Sequence, residues 1–143
     1  MLTEERLSLV APCGIDCGIC ELYTCRDDAE LQEKIVARGI PEEKLPCEGC
    51  RSVEGNCPVL GERCETFKCV SEVGAEFCFE CGDFPCTNLQ PTANRADVLP
   101  HNMKVFNLCT IKQFGREGFV KKSAEIKRRY YTGKMEIGKG PQL

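Results

Sequence analysis

The chain has no tryptophan and a single histidine among 143 residues. That leaves no spare histidine to act as a catalytic base, and mixed Cys–His metal sites usually show a second partner at motif spacing, which is missing here. Leu, Ile, Val and Phe together supply only 34 residues, a thin apolar stock for this length. Such a chain is expected to need cross-links or metal to complete its interior. No long hydrophobic run is present. The longest uncharged stretch near the start, Leu7 to Ile15, is far too short to cross a bilayer. The first residues, MLTEERLSLV, carry acids and an arginine where a signal peptide would have a basic start and an apolar run. A cytoplasmic protein with no membrane association is expected. A glycine-rich nucleotide loop is also missing, and so is any catalytic constellation, so binding rather than catalysis is the expected role.

What is abundant is sulfur. There are 13 cysteines, and twelve fall between positions 13 and 86. In a reducing compartment, clustered cysteines bind metal or do redox chemistry rather than pair as disulfides. Three spacings are C-x2-C: Cys17/Cys20, Cys47/Cys50 and Cys78/Cys81. Two sulfurs three residues apart across a tight turn can both reach one tetrahedral ion, and the turn aims backbone N–H groups at them. Gly49 inside the second turn and Gly82 just after the third ease the backbone geometry. The candidate ligands are Cys13, Cys17, Cys20, Cys25, Cys47, Cys50, Cys57, Cys64, Cys69, Cys78, Cys81 and Cys86. Cys109, in VFNLCTI, is expected to be buried on an apolar helix face, and His101 to cap or precede a helix at the surface.

Ligand sharing stays open at this level. One division places Cys17, Cys20, Cys47 and Cys50 on one ion. Cys78 and Cys81 then take two of Cys57, Cys64, Cys69 and Cys86, and the remainder joins Cys13 and Cys25. If 64–73 is helical, Cys64 and Cys69 diverge by about 140° and serve different sites. Zinc, as two or three ions, is the leading cofactor, since all-thiolate sites with C-x2-C pairs favour it. An iron–sulfur cluster is the alternative, because four thiolates hold those too. The C-x3-C-x2-C spacing at Cys13, Cys17 and Cys20 matches that of radical S-adenosylmethionine enzymes, but the chain has neither the length nor the strand–helix alternation of their barrels.

Between the clusters, 26–39 is expected to be a helix capped by Asp27 with Glu30 in a capping box, stopped at Gly39. Leu31 and Ile35 share its apolar face. Residues 64–73 suggest a helix ending at Gly74, and 51–63 a loop. Phe77, Phe79 and Phe84 are expected to pack around the third cysteine group rather than stack on bases. From about 102 the pattern is helical, with Val105, Leu108, Cys109 and Ile111 on one face. Gly115 interrupts it, and Phe119, Ile126 and Tyr130 continue. Charge is uneven: residues 1–102 hold 9 Lys and Arg against 19 Asp and Glu, and 103–143 hold 10 against 3. The basic part is expected to fold back on the acidic part. Nucleic-acid binding through the basic helix is the sharper alternative. Asp16 is expected to accept backbone hydrogen bonds within the first motif.

The motifs APCGIDCGIC, CEGCR, CETFKC and FCFECGDFPC, in that order, resemble an uncharacterised prokaryotic cysteine-rich family catalogued as a domain of unknown function. The resemblance covers roughly residues 8–120. It implies a small metal-binding domain, with zinc as the metal and no established activity. Cys25 and Cys109 lie outside its pattern. The expected architecture is a small, metal-stabilised, α-rich (α+β) domain with zinc knuckles, short hairpins and irregular loops, plus C-terminal helices. Residues 8–90 form the cysteine-rich region, 91–131 a helical segment packed on it, and 132–143 a flexible tail. The expected role is a structural or interaction module with a protein partner; iron–sulfur or thiol redox chemistry is the runner-up.

Overall fold

A computed structural model describes residues 1–90 and 103–143. The fold is α-rich. Its helices are α1 (Glu4–Ser8), α2 (Glu21–Thr24), α3 (Ala29–Ala37), α4 (Glu65–Val73) and α5 (Lys104–Thr132), followed by the antiparallel pair β1 (Lys134–Glu136) and β2 (Gly140–Gln142). No helix among the described residues is long and apolar enough to cross a membrane. His101 lies outside the described residues.

Helix ends follow local chemistry. The cap of α3 is Asp28, whose carboxylate accepts from the Leu31 backbone N–H at 3.0 Å. The expected Asp27 sits in the preceding 3₁₀ turn, and Glu30 pairs with Lys34 instead of closing a capping box. Asp28 wins because its backbone is extended at the point where the helix begins. Ile35 is buried as expected. Helix α4 ends at Gly74 in the left-handed region, the usual glycine stop.

The knuckles are mainly 3₁₀ turns rather than hairpins. Cys17–Ile19 and Cys78–Glu80 each form one, and the N–H of Cys20 and of Cys81 donates back to the carbonyl of Cys17 and of Cys78 at 3.1 Å. The first motif also closes on an isolated antiparallel bridge between Val10 and Asp16. Where the sequence suggests only a polar tail, residues 134–142 turn back as the β1–β2 pair.

Helix α5 is broken at Gly115, whose φ of 74° and ψ of 168° are non-helical. Leu108 and Ile111 are buried, but Val105 and Cys109 are exposed. The buried face instead takes in Asn107, Thr110 and Ser123, three polar residues with specific partners. In the second half Phe119 is buried and Tyr130 is exposed. The apolar core joins Val10, Val70, Phe77, Leu108, Ile111 and Phe119, so it lies between the first motif, α4, the third knuckle and α5. Phe79 and Phe84 pack against it, as expected of aromatics beside the third cysteine group.

The first motif is tied to both ends of the chain by one carboxylate. Asp16, 2% exposed at its side chain, accepts from both terminal nitrogens of Arg6 on α1 at 2.8 and 2.7 Å. It also accepts from the Ser123 hydroxyl on α5 at 2.6 Å and from the Gly18 N–H at 3.0 Å. The last of these is the turn bond expected from the sequence. Arg6 stays a quarter exposed, so losing Asp16 costs less than the ~3–5 kcal/mol of a fully buried pair. It nevertheless removes four hydrogen bonds at once, whereas losing one hydrogen bond to a charged group costs about 1.5–3 kcal/mol. Asp16→Ala is therefore expected to lower the urea-unfolding free energy more than Ser123→Ala, and both more than Lys121→Ala, which removes an exposed ion pair with Glu117.

Candidate metal centre

The spelling C-G-I-D-C-G-I-C has a steric reason. Gly14 adopts φ +89°, and a Cβ there would sit 3.0 Å from the Lys104 carbonyl oxygen and 3.1 Å from the Leu108 side chain. Its own carbonyl accepts from the Asn107 side-chain nitrogen at 3.0 Å. A Cβ on Gly18 would meet the Arg6 guanidinium at 2.5 Å. The two glycines thus let α5 and Arg6 approach the backbone between the cysteines. Lys127 completes the attachment by donating to the Ile19 carbonyl at 2.8 Å.

The second motif is held by Arg51, directly after Cys50. Its guanidinium donates to the Val10 carbonyl at 2.8 Å and to the Glu76 carbonyl at 2.9 Å, and lies over the Phe77 ring. One side chain thereby joins the first, second and third cysteine segments. Burial, then the charge of Arg116, lowers its pKa from the usual guanidinium value, while nearby Cys50, Cys17 and Cys13 oppose that shift. Arg116 in turn pairs with Glu76. In the third knuckle, Glu80 accepts from the N–H groups of Glu76 and Phe77. Arg51 and Arg6 escape a search for ligands by residue type. The only sequence signal for Arg51 is its place in CEGCR, immediately beside a thiol.

All thirteen cysteines are free thiols. Backbone N–H groups point at the sulfurs, among them Gly49 at Cys47 (3.4 Å), Cys50 at Cys17 (3.5 Å) and Asp83 at Cys81 (3.4 Å). Gly49 at φ +98° makes the second turn, with Leu9 filling the space a Cβ would need. Gly82 does not use the left-handed region. The contact from Cys50 to Cys17 joins the first motif to the second.

Electrostatic neighbours extend that link. Cys17 interacts with Cys50, Cys20 and Cys13; Cys50 with Cys13, Cys64 and Cys57; and Cys13 with Cys64. Cys57 interacts with Cys47, Cys20 and Cys64, and both Cys20 and Cys25 with Cys47. Cys78 interacts with Cys13, Cys86 and Cys69. Cys64, the N-cap residue just before α4, and Cys69 within the helix therefore have different electrostatic neighbours. The C-x2-C pairs do not travel as units: the strongest thiol neighbour is Cys50 for Cys17 and Cys47 for Cys20. Cys25 is buried, and its thiol donates to the Leu22 carbonyl at 3.3 Å. Cys109 stands exposed on α5.

The donor set has the softness that zinc or iron–sulfur chemistry demands. As the side chains stand, however, no three Cys, His, Asp or Glu residues among those described are arranged to hold an ion.

Burial raises the pKa of Cys13, Cys17, Cys20 and Cys57, and pushes Cys50 and Cys78 up to about 12. Without a cation these six thiols stay protonated in the folded chain at the pH where an ordinary thiol ionises. The unfolded chain ionises them near the ordinary value of 9.0. Between these values the unfolded state binds fewer protons, so folding stability falls as pH rises. The urea midpoint of metal-free, reduced protein is expected to drop as pH rises from 9.0 toward about 12. The share of the folded protein's ultraviolet thiolate absorbance that belongs to Cys50 and Cys78 should develop only as pH approaches about 12.

Residues 9–91 match the family described as protein of unknown function (DUF3795). No curated protein and no solved structure matches the chain. The match spans more than half of the chain and takes in every cysteine except Cys109, so this protein belongs to that family.

Proposed function

We propose that this chain is a thiolate metal-binding module whose bound ions fasten its three cysteine segments together and hold a surface for a protein partner. Zinc is the metal that suits the donors best. The observation that carries the reading is the Cys50 N–H directed at the Cys17 sulfur: a peptide donor from one motif faces the sulfur of another. Such N–H···S bonds disperse the charge a thiolate carries when it binds metal. Free thiols throughout suit a reducing compartment such as the cytoplasm.

The neighbour relations suggest three ligand groups. Cys13, Cys17, Cys50 and Cys64 form the first. Cys20, Cys47 and Cys57 form the second, with Cys25 as its fourth member once its thiol leaves the Leu22 carbonyl. Cys69, Cys78 and Cys86 form the third, with Cys81 beside them through the knuckle. A bound ion would replace the thiol protons and supply the positive charge that the buried sulfurs lack.

A second reading has one observation in its favour. Thiolates around one zinc all bond the same ion, whereas those of a four-iron cluster bond four separate irons and stand further apart. Cys50 has Cys13, Cys64 and Cys57 as electrostatic neighbours at once, a four-thiol set drawn from separate segments that suits such a cluster. The basic helix supports nucleic-acid binding less well. Lys127 is engaged with the Ile19 carbonyl and Arg129 with Glu125.

Elemental analysis with a visible spectrum, on protein prepared without oxygen, tests the proposal. The expected result is a colourless protein with two or three zinc ions per chain. A brown protein containing iron and sulfide selects the cluster reading, and metal-free folded protein overturns both. Cys50→Ser is expected to lose metal and Cys109→Ser to retain the full complement. Strong chelation is expected to abolish cooperative melting and reduce the helical circular dichroism.

A further inference from the structure

A groove of about 1030 Å³ runs between the first motif, α3 and α5. Its volume is that of a small-molecule site. The walls are largely apolar: Ile15, Ile19, Leu22 and Ile126 line it half-buried, with Phe119 buried behind them. Half-buried isoleucines gathered in one concavity leave apolar surface in water that a ligand would cover.

Two polar features give the groove a chemical preference. Asn107, 7% exposed, is part of its lining, and its Nδ2 is committed to the Gly14 carbonyl. Its Oδ1 is buried and has no hydrogen-bond partner among the described residues. An unpaired buried acceptor favours any ligand that brings an N–H or O–H donor. The second feature is charge. Arg38, Lys127 and Arg128 lie along the groove, with Glu21 and Asp16 as its acids. Glu21 is matched by Arg38, and Asp16 by Arg6. Lys127, which gives one of its three N–H donors to the Ile19 carbonyl, and Arg128 have no acid partner among the described residues, which leaves this end positive.

We propose that the groove binds an amphiphilic anion: an apolar chain along the isoleucine walls, one hydrogen-bond donor for Asn107 Oδ1, and a carboxylate at Lys127 and Arg128. The site does not depend on which metal the thiols take, although Cys20 opens onto its edge.

N-Decanoylglycine has all three features and serves as the probe. Its N-methyl analogue, N-decanoylsarcosine, lacks the donor, and N-decanoylglycinamide lacks the charge. Titration by calorimetry on the protein as purified is expected to rank the glycine compound first, with each analogue about tenfold weaker or more. Ala124→Trp, at an exposed lining position, is expected to block the groove and abolish binding. Arg128→Glu is expected to erase the preference for the charged compound. Unchanged circular dichroism verifies that both variants fold. No binding of N-decanoylglycine, equal binding of all three compounds, or wild-type affinity in folded Ala124→Trp overturns the proposal.

Discussion

A buried carboxylate organises this protein. Asp16 sits between two candidate ligand cysteines and is satisfied from three directions: an arginine on α1, a serine on α5 and a peptide N–H of its own turn. Burying a charge is tolerable only when its partners are this complete. The ion pair therefore determines where α1 ends up, how the first motif curls and where α5 crosses it. The neighbouring glycines follow from the same constraint, because bulkier residues would push Arg6 or α5 away.

The thiols are arranged around this frame and not in place of it. A contiguous apolar core joins the first motif, α4, the third knuckle and α5. Arg51 then draws the three cysteine segments together through two carbonyls and one aromatic face. A guanidinium among buried sulfurs also places positive charge where thiolates would be formed. The domain thus combines a small greasy interior with a polar scaffold that holds the sulfurs near one another while they are still protonated.

Much of this is legible from the chain. Gly74 ends α4 as its position suggests. Phe77 is core, and Asp16 takes a turn N–H. The failures share a cause. Helical periodicity assigned Val105 and Cys109 to the buried face of α5, but Asn107 and Ser123 occupy it because each meets a distant partner, a glycine carbonyl and a carboxylate. Pairings of that kind leave no periodic trace. Likewise, C-x2-C spacing shows that two sulfurs can share an ion, yet Cys17 feels Cys50 more strongly than Cys20, and Cys20 feels Cys47. Arg51 is ordinary by composition and becomes informative only when its three contacts are seen together.

The separation of Asp16 from Ser123, 107 positions along the chain, has a consequence for order of assembly. On a ribosome, twelve cysteines emerge before the segment that seals the first motif. Sulfur is thus open to the surroundings early in synthesis, and the lid of α5 arrives late.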